Sequence, residues 1–161
     1  MTLHDALLEN QAWDGRCNAR GVAIIKFYEG WSSEPYVCPA GYWTIGYGSI
    51  WGVDGKRITP DSDPISEAEG EVLLRRELAH AETAIRALVR VPLNENQFSA
   101  LCSWTYNLGS GRLKTSTLRQ KLNRGDYDGA GQEFLKWCMA GGRKLPGLVR
   151  RRKAELELWQ T

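Results

Sequence analysis

The chain has 161 residues, 42% apolar and 25% charged, with seven Trp, six Tyr and 17 Gly. A chain of this length buries roughly 70% of the surface its unfolded form exposes. One folded unit with a substantial core is therefore expected, and wholesale disorder, collagen and coiled-coil rods are excluded. The net charge of +2 hides a division: residues 112–153 carry twelve Lys and Arg against Asp126, Asp128 and Glu133, while the rest of the chain is net acidic. Such a division suits an anionic partner, or ion pairs between the two parts of the chain.

From the N-terminus, Met1-Thr2-Leu3-His4-Asp5-Ala6-Leu7-Leu8-Glu9 shows no basic segment followed by an apolar run, so no signal peptide is expected. No stretch reaches the ~18–20 consecutive apolar residues of a membrane span, and the chain is not expected to cross a membrane. The first thirty or so residues read as one or two helices, with Val22, Ile25 and Tyr28/Glu29 on recurring turns. Pro35 to Ile50 is rich in Tyr, Trp, Val, Ile and Thr and punctuated by Pro39, Gly41, Gly46 and Gly48. This composition predicts a small antiparallel hairpin or three-stranded sheet ending near Thr59. Residues 60–65 read as a loop.

Ser66 and Glu69 form a capping box. The spacing Leu74, Leu78, Ala81, Ile85, Leu88 predicts a long amphipathic helix, ended by Pro92. Asn94 with Gln97 opens a helix carrying Phe98, Leu101, Thr105 and Leu108, closed by Gly109. Short helices follow over 116–123 and 127–138. The last helix has Pro146 in its first turn and runs through Leu148, Val149, Leu156 and Trp159. The fold class expected is α+β: a helix and small antiparallel sheet (about 20–65), a linking helix (about 66–90) and a helical lobe (about 91–161), all in one domain spanning 1–161. A cleft between two such lobes is a natural ligand site.

Cys17, Cys38, Cys102 and Cys138 show no CxxC spacing, and His4 and His80 do not complete a ligand cluster, so neither a metal nor a cofactor is expected. Four reduced thiols are expected, with Cys102 and Cys138 as small core residues on apolar helical faces. Glu29 is different. It follows Phe27 and Tyr28 at a helix end and precedes Gly30 and Trp31. A carboxylic acid in such a setting is a candidate proton donor for cleaving a glycosidic bond.

Glu29, then Cys38 nine positions on, then Thr44 six further on, resembles the catalytic pattern of the phage-type lysozymes, glycoside hydrolase family 24. Tyr28-Glu29-Gly30, Pro35-Tyr36 and Trp43-Thr44-Ile45-Gly46-Tyr47-Gly48 resemble the same endolysins. So do Trp104-Thr105-Tyr106-Asn107-Leu108-Gly109-Ser110-Gly111 and the closing Leu145-Pro146-Gly147-Leu148-Val149-Arg150-Arg151-Arg152-Lys153-Ala154-Glu155. The resemblance covers most of residues 20–159. It implies a lysozyme-like fold and hydrolysis of the β-1,4 link between N-acetylmuramic acid and N-acetylglucosamine.

By this resemblance Glu29 is the acid and Thr44 helps hold a water. Cys38 stands where many relatives have Asp, as in the lambdoid branch. Its role is open between base, electrostatic partner, water-positioner and buried thiol. Tyr36, Tyr42, Trp43 and Trp51 stack on sugars or fill the lobe core, and Gly46 permits close approach of backbone to a glycan. Asn107 either reads an N-acetyl group or caps its helix. One arginine of 150–152, taken as Arg151, is expected to face Glu29 at the substrate site.

The partners implied are bacterial peptidoglycan and a separate holin, with the enzyme made in the host cytoplasm as a monomer and acting on the wall after the membrane is permeabilised. A reading from another class is a non-enzymatic nucleic-acid-binding domain using the basic segment 143–153. A transglycosylase of the same fold is a third.

Overall fold

The computed structural model describes residues 12–161, so His4 and any helix before residue 12 lie outside the described residues. Helix α1 (Ala19–Glu29) starts where the Asn18 side chain accepts the Gly21 N–H at 3.1 Å, and stops at Gly30, whose φ of +75° suits glycine. A Cβ on Gly21 would lie 2.6 Å from Cys17 Sγ and 2.8 Å from Ser99 Cβ. Glycine there lets α1 cross close to the helix that carries Ser99.

Strands β1 (Ser32–Val37) and β2 (Trp43–Gly46) form an antiparallel hairpin, with Tyr36 opposite Thr44 and Val37 opposite Trp43. Of the two sheet forms expected, the hairpin is the one present. Beyond it only the isolated bridges Ile45–Ser49 and Trp51–Arg57 continue. Gly46 and Gly48, at φ of +65° and +96°, turn the backbone out of the ladder before a third strand can align.

Helix α2 (Glu67–Leu88) begins with the full capping box: the Glu69 N–H donates to Ser66 Oγ at 3.2 Å, and the Ser66 N–H donates to Glu69 Oε2 at 3.3 Å. It ends at Val89, three residues before Pro92. Leu73 packs with Ile45 and Ile58 under the hairpin, while Leu74, Leu78, Ala81 and Ile85 join the main core. One helix thus serves both lobes, because adjacent stripes on its surface face different neighbours.

Helix α3 (Glu95–Leu108), also opened by a capping box, is buried along its centre, with Trp104 fully enclosed and edge-on to Trp137. Helices α4 (Ser110–Thr115), α5 (Thr117–Asn123) and α6 (Tyr127–Glu133) follow. A 3-10 turn, Phe134–Lys136, cuts short the helix expected to reach residue 138. Cys138 is buried just beyond this turn, so it is a core residue without being on a helical face. A minimal hairpin, β3 (Met139–Ala140) and β4 (Arg143–Lys144), leads into α7 (Pro146–Trp159). Helix α4 and this second hairpin are too short to leave a periodic signal.

Candidate active site

Helix α7 was expected to run through Leu148, Val149, Leu156 and Trp159, and of these Trp159 is buried. Leu148, Val149 and Leu156 are only half-buried, and the enclosed face includes Arg151, Arg152 and Glu155. Arg151 is 3% exposed; Arg152 and Glu155 are completely enclosed. Enclosed charges persist when paired and hydrogen-bonded. Here Arg151 Nη1 donates to Glu29 Oε1 at 2.7 Å and Nη2 donates to the Ser103 carbonyl at 3.3 Å. Arg151 Nε lies 3.3 Å from Glu155 Oε1, and Arg152 Nε lies 2.8 Å from Glu155 Oε2. Ser103 Oγ adds a donor to Glu155 at 2.7 Å. Burial pushes the Glu155 carboxyl up and the Arg152 guanidinium down from their ordinary pKa values, while their mutual attraction opposes both shifts.

Of the three arginines in the run, Arg151 is therefore the one that meets Glu29. Its donors serve Glu29, Ser103 and Glu155, so Arg151 acts on the site through Glu29. The basic run is no continuous binding strip, since its two central members point into the protein. Elsewhere in the basic segment, Lys121 and Lys136 both close on Glu133, at 2.6 and 2.8 Å.

Glu29 ends α1 at the mouth of a cleft of about 380 Å³. Gly48 faces it from the hairpin side, Glu77 and His80 from α2, and Tyr106 and Asn107 from α3. Glu29 Oε2 is 3.6 Å from where a Cβ on Gly48 would begin. Gly46 is buried, and a Cβ there would meet Ile65, Gly70 and Trp31. Gly48 is the glycine that leaves room beside the acid. The Tyr106 hydroxyl and Ser49 Oγ both donate to Glu77, at 3.0 and 2.5 Å. This ties the hairpin lobe to α2 and α3 across the cleft floor. Burial first, then the charges of Glu77 and Glu29, push the Tyr106 phenol well above its ordinary value.

Glu77 is not among the residues that the sequence singles out. Its signal was its place one residue before Leu78, on the margin of the apolar stripe of α2.

Cys38 and Thr44 lie in the turn and second strand of the first hairpin, outside the cleft lining. Burial raises the Tyr36 phenol pKa, and the charges of Cys38 and Glu29 raise it further. The backbone N–H of Tyr42 and then the Thr44 hydroxyl hold the Cys38 thiol below its ordinary value. Thr44 is 2% exposed and its hydroxyl donates to the Tyr42 carbonyl at 2.9 Å. It has one proton, so turning toward a thiolate breaks that bond. Tyr42, Trp43 and Trp51 are exposed, with Arg57 stacked over Tyr42 and Trp51 at 5.7 and 4.9 Å. Cys17 is 2% exposed against α3, where its Sγ lies 3.9 Å from the Ser99 carbonyl. No helix among the described residues is long and apolar enough to cross a membrane.

Breaking a sugar–sugar bond asks for one proton delivered from a fixed acid beside an open groove. With a hairpin lobe joined by a long helix to a helical bundle, that arrangement defines a glycosidase of the lysozyme class. The phage lysozyme family model matches residues 26–155, and the chain belongs to the phage lysozyme family. Among its relatives, an endolysin of Acyrthosiphon pisum secondary endosymbiont phage 1 is 40% identical over 88% of this chain and 96% of its own. The endolysin of Salmonella phage P22 is 38% identical over 84% of this chain and 92% of its own. The crystal structure of a mutant P22 lysozyme superposes with a TM-score of 0.84 at 34% identity, covering 91% of this chain and 99% of that one. The chain is an endolysin-type peptidoglycan hydrolase, and the nucleic-acid-binding alternative is not favoured.

Proposed function

We propose that the enzyme cleaves the β-1,4 bond from N-acetylmuramic acid to N-acetylglucosamine with Glu29 as general acid and Cys38 as base. The observation that carries this reading is the division of labour on Glu29. Arg151 occupies Oε1, which leaves Oε2, beside Gly48 and the open cleft, as the oxygen through which a proton is delivered. As the C1–O bond breaks, that proton goes to the leaving oxygen. Water adds to C1 from the opposite face and gives its proton to the Cys38 thiolate. The thiol then releases a proton to solvent and Glu29 takes one up, so the cycle closes.

Thr44 supports the water: whether its single proton goes to the Tyr42 carbonyl or to the Cys38 thiolate, its hydroxyl keeps lone pairs to accept from the nucleophile. Tyr36, half-buried on β1, and Asn107, on the cleft wall, are proposed to contact the glycan. The proposed setting is a monomer made in the host cytoplasm and dependent on a holin for access to the wall.

Purified protein is expected to clear outer-membrane-permeabilised bacteria. Muropeptides carrying a reducing end are the expected product; products lighter by one water would establish transglycosylation instead. For Cys38, Ala should lose about 100-fold or more in rate, Ser should be slow and Asp should retain activity. Equal rates for Cys, Ser and Ala would make the thiol structural. Because the Cys38 pKa is lowered, inactivation by iodoacetamide should reach half its plateau rate below the ~8.5 of a free thiol. A midpoint above that value would remove the base.

A further inference from the structure

The geometry points to Asn107 as a hydrogen-bond donor of fixed polarity that selects the acetamido carbonyl of the glycan, with Arg152 setting that polarity. This rests on the peptidoglycan reading above. Arg152 Nη2 donates to Asn107 Oδ1 at 3.0 Å and to Glu155 Oε1 at 3.0 Å, and Arg152 Nε lies 2.8 Å from Glu155 Oε2. The guanidinium is completely enclosed, and its hydrogen bonds to Asn107 and Glu155 both come from Nη2. A guanidinium can only donate. Rotating the Asn107 amide by half a turn would set its NH2 against another donor and lose the bond. Oδ1 is therefore fixed inward, and Nδ2 is the prong left for a partner.

Asn107 is half-buried and lines the same cleft as Glu29. The neighbouring polar groups are differently committed. The Glu77 carboxylate is occupied by Tyr106 and Ser49, and Glu29 is held by Arg151. A sugar hydroxyl can donate or accept, so it does not need a partner of fixed polarity. The acetamido carbonyl only accepts. A locked donor therefore favours this group and penalises an amine in its place, because a donor facing a donor leaves both unpaired.

The test uses Asn107→Asp. Its carboxylate still accepts from Arg152 but offers the cleft acceptors only. Its rates are compared with wild type on three substrates: fully N-acetylated sacculi, sacculi de-N-acetylated on glucosamine, and sacculi de-N-acetylated on muramic acid. On acetylated sacculi kcat/KM should fall by ~10–100-fold, mainly through KM. On one of the two deacetylated substrates, where an ammonium donor replaces the carbonyl, the variant-to-wild-type ratio should rise at least ~10-fold. That substrate identifies which sugar is read. Any general effect of the added charge on Glu29 scales all three rates alike, so an equal ratio on all three substrates overturns the proposal.

The unfolding midpoint of Asn107→Asp should hold or rise, since the new carboxylate faces Arg152. A fall would overturn the Arg152 contact. Wild-type protein inert on acetylated sacculi would instead sink the hydrolase reading itself.

Discussion

Glu29→Gln is expected to lower clearing of permeabilised cells by about 10²–10⁴-fold, the range a positioned general acid contributes. The substitution is nearly isosteric, and the amide oxygen of Gln can still accept from Arg151 Nη1, now 2.7 Å from Glu29 Oε1. The fold, the Glu77 strap and the Arg152 contact should all persist. What disappears is the proton delivered through Oε2. Turbidity assays at equal protein concentration, with circular dichroism to show a native fold, check this. An undiminished rate would remove Glu29 from the chemistry and leave the salt bridge as a purely structural feature.

Glu155→Ala should be the most destabilising of the substitutions considered, by roughly 3–5 kcal/mol. The carboxylate stands between two enclosed guanidiniums and also accepts from Ser103. Without it Arg152 has only Asn107 left as an acceptor, and Arg151 has Glu29 and the carbonyl and hydroxyl of Ser103. Water cannot replace the lost partner, because both arginines are shut off from solvent. A domain holds about 5–15 kcal/mol in total, so such a loss is a large share of it. Denaturant unfolding measures the change, and a loss under about 1 kcal/mol would show that the cluster relaxes by admitting water. Lysis should fall as well, since Arg151 then loses one of the contacts that aim it at Glu29.

Much of the fold was legible because its signals are local. Ser66 with Glu69 and Asn94 with Gln97 are capping boxes complete within four residues. The stripe from Leu74 to Ile85 repeats at the helical period whatever it packs against. Glycines at 30, 46, 48 and 109 supply the positive φ that ends helices or turns the hairpin. By contrast, α4 and the β3–β4 hairpin span too few residues to repeat anything.

The candidate site divides the same way. The spacing of Glu29, Cys38 and Thr44 could be read from the chain by resemblance, and so could the closing arginine run. Glu77, Ser49 and Tyr106 could not be grouped, because they come from three elements and meet only when both lobes pack on α2. Gly46 and Gly48 look alike in sequence, yet one supports Trp31 and Gly70 while the other borders the acid. Which of Arg150, Arg151 and Arg152 enters the interior depends on the rotation of α7 about its axis.

By itself the sequence determined the order of helices and hairpin, their caps, the family and the candidate acid, since each is written in neighbouring residues or fixed spacings. Tertiary structure alone decided how the charge is used. Part of the charge is used in pairs: Arg151 with Glu29 and Glu155 and Arg152 with Glu155 in the interior, and Lys121 and Lys136, both reaching solvent, with the buried Glu133. The reason is physical. An enclosed charge must find its counter-charge wherever packing brings one within hydrogen-bonding reach, and residues 29 and 151 are brought together only by the folded chain.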